Sequence, residues 1–174
     1  MKVAIVHPMF LDAGGGERVV DTLADMYPNA DIFVLCGDSE SLSSHLRGRR
    51  IYKSRLDKLA RLSRLLFNRQ LGSLMPLFPW AIESLDVSGY DLVLSSCGQA
   101  VMGVNVGQDA VHIAYVHTPQ TAWWHLYAQR QALMSWIPRQ LYVACATFVR
   151  MWEFCAMQRV DYVVSNSNYI SHRV

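Results

Sequence analysis

The stretch His7–Val19, HPMFLDAGGGERV, joins the first hydrophobic run of the chain to the first amphipathic run. Before it, Lys2–Val6 is short and rich in β-branched residues, which is typical of a strand buried on both faces of a parallel sheet. After it, apolar residues recur at helical spacing, at Val19, Val20, Leu23, Ala24 and Tyr27. The glycines therefore lie where a strand passes into a helix.

Gly14, Gly15 and Gly16 allow backbone N–H groups to approach a ligand without a Cβ atom in the way. The helix N-terminus adds about half a positive charge at the same place. An anion, most plausibly a phosphate, is the ligand that this arrangement predicts, and a flexible turn without a ligand is the alternative. The dinucleotide fingerprint needs a glycine where Val19 stands, and the Walker A motif needs Gly-Lys-Ser/Thr where Glu17-Arg18 stands.

Composition narrows the class of protein. A chain of 174 residues suffices for about one domain with a proper core. The net charge of +2 is too small to indicate a nucleic-acid partner, and no segment approaches the roughly 20 apolar residues of a membrane span. The four cysteines form no C-x-x-C pair, so we expect reduced thiols and a cytoplasmic protein.

Further apolar runs predict additional strands. They cover residues 31–35, 50–52, 90–95, 111–116 and 161–165 and alternate with helical or turn segments. This order predicts an α/β fold, a Rossmann-like, doubly wound and mostly parallel sheet with helices on both faces.

In such a sheet all strands end at one edge, where ligands bind. His7, the glycine stretch, Ser96 and His117 are each predicted near a strand end and should gather there, whereas His112 begins its strand at the opposite edge. Two histidines without an accompanying carboxylate pair argue against a metal site.

The main charge run of the chain is basic. It contains Lys53, Arg55, Lys58, Arg61, Arg64 and Arg69, opposed by Asp57 alone. Leucines interleave with these cations, which predicts a basic amphipathic helix. Its polar side is either a solvated face or a surface for an anionic membrane, with Phe78-Pro79-Trp80 as an interfacial anchor.

The last third of the chain is rich in tryptophan, including Trp123-Trp124, Trp136 and Trp152. Packing in a core is the usual role of such residues, and a platform for stacking a sugar is the alternative. A long helical segment covers residues 134–157. After the last predicted strand, Asn166-Ser167-Asn168-Tyr169 is a good N-cap cluster opening a helix.

These motifs, in this order, resemble the N-terminal domain of family 4 glycosyltransferases with the GT-B fold. The resemblance rests on GGGERV at 14–19, YDLV at 90–93 with Ser95-Ser96, His117-Thr118-Pro119, Val160-Asp161 and SNSNY at 165–169. It implies that residues 1–174 are the Rossmann-like, acceptor-side half of a two-domain enzyme, whose donor-binding half is absent from this chain. Such enzymes transfer a sugar from a nucleotide sugar with retention of configuration, without a metal or other cofactor. Mannosyl-type transferases of polysaccharide assembly are similar-looking relatives.

Carried over to this sequence, the resemblance gives a role to each matching residue. Gly14, Gly15 and Gly16, with Glu17 and Arg18, would meet the donor phosphates or the acceptor. His117 would stabilise the reacting sugar as the catalytic residue. Thr118, Asn166 and Ser167 would bind substrate, the last two near the cleft or hinge. The chain departs from the family pattern at Gln120–His125, which lacks an Arg and an Asp, and at Gln99 and Met102.

The implied partners are a nucleotide sugar and a glycan or lipid-linked acceptor, with no nucleic acid. We expect a cytoplasmic protein, peripheral on the inner face of the membrane, whose isolated 174 residues bind weakly and do not turn over. Two alternatives remain open: a Rossmann-like nucleotide-binding domain of another enzyme class, and a non-catalytic membrane-associating module.

Overall fold

The computed structural model describes residues 1–10, 15–37, 43, 45–67, 71–97, 100–118 and 123–172. Six parallel strands form one sheet in the order β3-β2-β1-β4-β5-β6. The strands are β1 (Val3–Phe10), β2 (Asp31–Gly37), β3 (Ile51–Lys53), β4 (Leu92–Cys97), β5 (Val111–Val116) and β6 (Tyr162–Ser165). The predicted α/β, Rossmann-like parallel sheet is thereby confirmed.

Helices cover the two faces of this sheet. They are α1 (Gly15–Met26), α2 (Arg55–Phe67), α3 (Phe78–Glu83), α4 (Tyr127–Ala132), α5 (Trp136–Met157) and α6 (Asn168–Ser171), with 3-10 helices at Leu71–Leu77 and Val101–Gly103. None of the helices in the described ranges is long and apolar enough to cross a membrane.

Alternate residues of the central strands belong to two apolar clusters, one on each face of the sheet. On one face, Val3 and Ile5 of β1 pack with Val20 and Ala24 of α1. On the other face, Ala4 and Val6 belong to a cluster that also contains buried residues of α2 and α3, namely Leu56, Ala60, Phe78, Ala81 and Ile82. Burial on both faces explains why these strands read as continuous apolar runs.

The predicted end of β1 at Val6 is wrong. β1 continues across Pro8 to Phe10, in register with β2 as far as Phe10 opposite Gly37. A proline normally argues against a central strand because it offers no N–H to the ladder. Here the apolar residues Met9 and Phe10 extend the strand beyond it, so His7 lies inside β1 rather than after it.

Other boundaries also differ from the prediction. β4 extends to Cys97, which places Ser96 inside a strand. The basic helix begins at Arg55, so Lys53 belongs to β3, where its Nζ donates a hydrogen bond to the Gly37 carbonyl. Of the predicted anchor, Phe78 and Pro79 are buried and only Trp80 is exposed.

The long helix α5 is fitted closely against the rest of the domain. A Cβ atom at Gly103 would lie 2.2 Å from Cη2 of Trp152. The Trp152 indole N–H donates to Oε1 of Glu83 at 2.7 Å, and Arg159 bonds the same oxygen at 3.2 Å. These contacts join α3, the 3-10 helix Val101–Gly103 and α5 into one layer.

We expect Ser54→Ala to lower the free energy of unfolding by about 1–2 kcal/mol. The buried Ser54 hydroxyl accepts from the Leu56 N–H at 3.1 Å and donates to the Leu35 carbonyl at 2.7 Å, so the change uncaps α2 and removes a hydrogen bond to a buried strand. Ser135→Ala is the matched control, because Ser135 occupies the N-cap of α5 without a side-chain cap bond. Urea unfolding of both variants measures the difference, and equal losses would contradict the capping role.

Candidate functional site

The start of α1 lies against two histidine rings at the carboxyl edge of the sheet. A Cβ atom on Gly16 would stand 3.5 Å from Cε1 of His7 and 3.7 Å from Nε2 of His117. The two histidines are 110 positions apart in the chain, yet β1 and β5 flank the same neighbour, β4. The predicted approach of the glycine stretch to His117 is therefore present in the fold, at Gly16.

His117 follows the last residue of β5 and is held from two directions. Its Nε2 lies 2.8 Å from the Ser96 hydroxyl, and Ser96 itself is fully buried in β4. The Asn166 side-chain amide donates to the His117 carbonyl at 3.0 Å. One contact orients the ring and the other fixes the backbone, so the imidazole is positioned before any ligand arrives.

His7 is the buried histidine of the pair that faces Gly16. It is 4% exposed, its ring stacks on Phe10 with centroids 5.1 Å apart, and its Nδ1 has no hydrogen-bond partner among the described residues. Burial, with a smaller effect from nearby His117, lowers the pKa of His7 to about 4. His7 is thus neutral at physiological pH and retains an unused polar atom at the site.

The electrostatics of the site combine two imidazole rings, the carboxylate of Glu17 and the backbone dipoles at the start of α1. Burial lowers the pKa of His117 as well, and nearby Glu17 opposes that shift. With both imidazoles neutral, the N-terminus of α1 supplies the positive potential. Arg18, exposed one turn into the helix, adds a full positive charge close by.

The predicted site residues lie in different surroundings in the structure. Gly15, Gly16 and Glu17 open α1, while Gly14 lies outside the described residues. Gly15 is exposed with open space where a Cβ would be. Thr118 is exposed directly after His117.

The two predicted residues after β6 have structural partners instead of open polar groups. Asn166 anchors the end of β5, as described above. Ser167 is the N-cap of α6, since its hydroxyl accepts from the Ile170 N–H at 3.3 Å. Asn166 therefore touches the site through the His117 backbone, and Ser167 stabilises the next helix.

His7 and Ser96 were expected near this edge but were not assigned a binding role, and the structure makes both part of the site. Tyr115 adds an aromatic wall, with its ring centroid 5.2 Å from that of His117. Its position two residues before a strand-end histidine was the signal available in the sequence, because alternate strand residues share a face.

His112 does not belong to this group, as expected. It is fully buried near the start of β5, where its Nε2 lies 2.9 Å from the Ser95 hydroxyl. Across the part of the chain that the structure describes, no three His, Cys, Asp or Glu side chains converge as a metal site would require.

Comparisons with known proteins give one structural likeness. No protein-family model and no curated protein match the chain. Among solved structures, the chain is similar to the lipopolysaccharide outer core galactosyltransferase WaaB in its apo form, with 16% identity and a TM-score of 0.30. The match covers 67% of this chain and 32% of that one, so it spans about a third of the other protein's length.

We expect His7→Gln to reduce the acid sensitivity of the fold. The pKa of His7 is about 4 in the folded state against an ordinary 6.5, so the unfolded chain takes up the proton first as the pH falls through this window. The free energy of unfolding should therefore drop between pH 7 and pH 5, and the variant should lose about 2 kcal/mol less than the parent.

The measurement is urea unfolding at the two pH values. His125→Gln, at an exposed position, is the control and should show the parent's full pH dependence. An unchanged pH dependence in His7→Gln would mean that this ring is not held neutral by its surroundings.

Proposed function

We propose that this chain is the N-terminal, acceptor-side half of a retaining GT-B glycosyltransferase. The observation that carries the proposal is the apposition of Gly16, at the start of α1, to the His117 ring at the end of β5. Two motifs that carry the family resemblance, GGGERV and His-Thr-Pro, contribute one residue each to that contact. The parent enzyme moves a sugar, mannose in the similar-looking relatives, from a nucleotide sugar to a glycan or lipid-linked acceptor.

The N-terminus of α1 is suited to the phosphate part of such a donor. Gly16 presents its backbone without a side chain, and a phosphate oxygen approaching the first turn meets unpaired N–H groups and the positive end of the helix dipole. Stabilising the negative charge that develops on a departing diphosphate lowers the barrier to transfer. No cofactor enters this scheme, since the nucleotide sugar is a co-substrate.

His117 is suited to the sugar part. A lowered pKa keeps the imidazole neutral, so it hydrogen-bonds a sugar hydroxyl without placing a full positive charge beside a centre that itself becomes positive. The Nε2–Cδ2 edge of the ring faces Gly16, and Nε2 also contacts the Ser96 hydroxyl. Ser96 and Asn166 are positioning residues in this scheme.

The transfer conserves atoms and charge. A bond forms between the anomeric carbon and the acceptor oxygen, while the bond from that carbon to the diphosphate breaks and the electron pair leaves with the diphosphate. The acceptor hydroxyl proton passes to the departing phosphate oxygen. The diphosphate departs from the same face of the sugar that the acceptor oxygen attacks, so the configuration is retained, as the family resemblance implies.

Binding of the leaving group tests the proposal directly. We expect uridine or guanosine diphosphate, titrated into the isotope-labelled chain, to shift the Gly16 amide and the His117 ring signals in NMR spectra in fast exchange, which indicates weak binding by one wall of a cleft. No sugar transfer is expected from the 174 residues alone. Tight saturable binding of NADH, or diphosphate shifts confined to other residues, would overturn the proposal.

Gly16→Ala separates a ligand role from a structural one. The added methyl group would rest at ordinary contact distance from both imidazoles, and alanine is the better helix former, so the free energy of unfolding should not fall. It would nevertheless cover the backbone that a phosphate approaches, and we expect affinity for the diphosphate to fall roughly tenfold.

Gly89→Ala is the control for this change, because a Cβ at Gly89 meets open space in a turn outside the site. It should leave the diphosphate titration unchanged. Undiminished binding by Gly16→Ala would place the phosphate elsewhere.

A further inference from the structure

The outward side of α5 is predominantly apolar, with Gln140 and Thr147 as its exposed uncharged polar residues, although this is the side turned away from the sheet. Six of its large apolar residues are between 56% and 74% exposed: Trp136, Ile137, Leu141, Phe148, Met151 and Phe154. The opposite side is buried through Ala146, Val149 and Ala156. A helix that is apolar all round is normally covered all round.

None of the charged residues of α5 adds an exposed acidic side chain to this surface. They are Arg139, Arg150 and Glu153. Arg150 is turned inward, where its Nε donates to the Trp123 carbonyl at 2.6 Å and its guanidinium lies 4.0 Å from the Tyr127 ring centroid. Glu153 is buried and accepts from the Trp124 indole at 2.8 Å. Arg139 alone is exposed.

The same layer carries basic charge at α2. Arg55 and Lys58 are exposed, with no acidic partner among the described residues, and Leu59 and Leu62 lie exposed beside them. The 3-10 helix Leu71–Leu77 contacts both α2 and α5, and Leu77 and Trp80, which follows it in α3, are also exposed. We call the exposed residues of α2, α3 and α5, together with Leu77, the outer helical surface.

The acidic side chains of these helices already have ion-pair or hydrogen-bond partners. Asp57 is buried and lies 3.0 Å from Nε of Arg61. Glu83 bonds both Trp152 and Arg159. Within the described parts of the three helices, the outer helical surface therefore combines uncompensated cations and apolar side chains without an uncompensated acid.

We propose that the outer helical surface binds an anionic lipid bilayer, with α5 lying in the plane of the interface. Its apolar side chains would enter the boundary between head groups and acyl chains, and Arg55 and Lys58 would meet the anionic head groups. Trp80 and Trp136 have the amphipathic rings that favour this depth. The basic helix and the apolar helix contribute separate parts of one surface.

A second copy of the chain is the competing occupant. A two-fold contact over this surface would set its cations against the same cations or against apolar side chains, because no uncompensated acid is available there. An anionic bilayer offers head groups for the cations and acyl chains for the apolar side chains. Lipid binding by this surface is independent of the proposed sugar transfer.

Co-sedimentation with vesicles tests the proposal without any nucleotide. We expect binding to vesicles of phosphatidylcholine with phosphatidylglycerol, weaker binding to phosphatidylcholine alone, and a decline with added salt. Arg55→Gln and Lys58→Gln should each weaken partition roughly fivefold on anionic vesicles. The double variant Phe148→Ser/Met151→Ser should weaken it at least about tenfold.

Matched controls lie on the other side of the sheet. Met26→Ser changes a residue of α1 that is 63% exposed, and Arg47→Gln changes an exposed cation next to Leu46, which belongs to the α1-side cluster. Both should partition like the parent. Because all substituted side chains are exposed, circular dichroism should show an unchanged fold.

Two results would overturn the proposal. One is partition that does not depend on anionic lipid or on any of these substitutions. The other is no binding of the parent to anionic vesicles. A dimer in analytical ultracentrifugation that Phe148→Ser/Met151→Ser dissociates would then assign the surface to a second copy.

Discussion

Parallel pairing of six strands is the constraint on which the rest of this structure depends. Each central strand pairs with two neighbours, and the side chains of β1, β2 and β4 are buried on both faces. Such strands cannot slide individually, so their carboxyl ends form a fixed edge. The contacts between His7, Ser96, His117 and the start of α1 follow from that edge, because residues far apart in the chain are placed there by register alone.

The site obtains a positive potential without burying a charged side chain. Two imidazoles near each other would repel if both were protonated, and desolvation would penalise each of them. The fold keeps His7 neutral by burial, so the proposed anion site depends on the helix dipole, with Arg18 exposed in the first turn of α1. Such a site is stable without a ligand, because backbone dipoles leave no buried net charge that needs a counterion.

Much of the fold was predictable because strands buried on both faces have a distinctive composition. β5 was predicted to the residue, and α1 was predicted from its apolar spacing. The end of β1 was not predicted. Met9 and Phe10 pair with residues of β2 that are 27 positions away, and no local sequence pattern encodes that pairing. Lys53 was assigned to a helix for the same reason, since only the Gly37 carbonyl reveals its place in β3.

For the candidate site, strand ends correctly indicated which residues would meet, but not how deeply each is buried. The apolar composition of α5 suggested core packing, and local sequence does not reveal which side of such a helix remains uncovered. The roles of the glycines, His117, Thr118, Asn166 and Ser167 in binding stay predictions.

The tight fit between Gly103 and Trp152 also has an evolutionary consequence. The indole occupies the volume that any larger residue at position 103 would need, and its N–H is tied to Glu83. In natural variants of this chain, a side chain at position 103 is therefore compatible only with a smaller ring or an aliphatic residue at position 152. Drift at these two positions should be concerted, whereas Glu83 would keep Arg159 as a partner when the indole is lost.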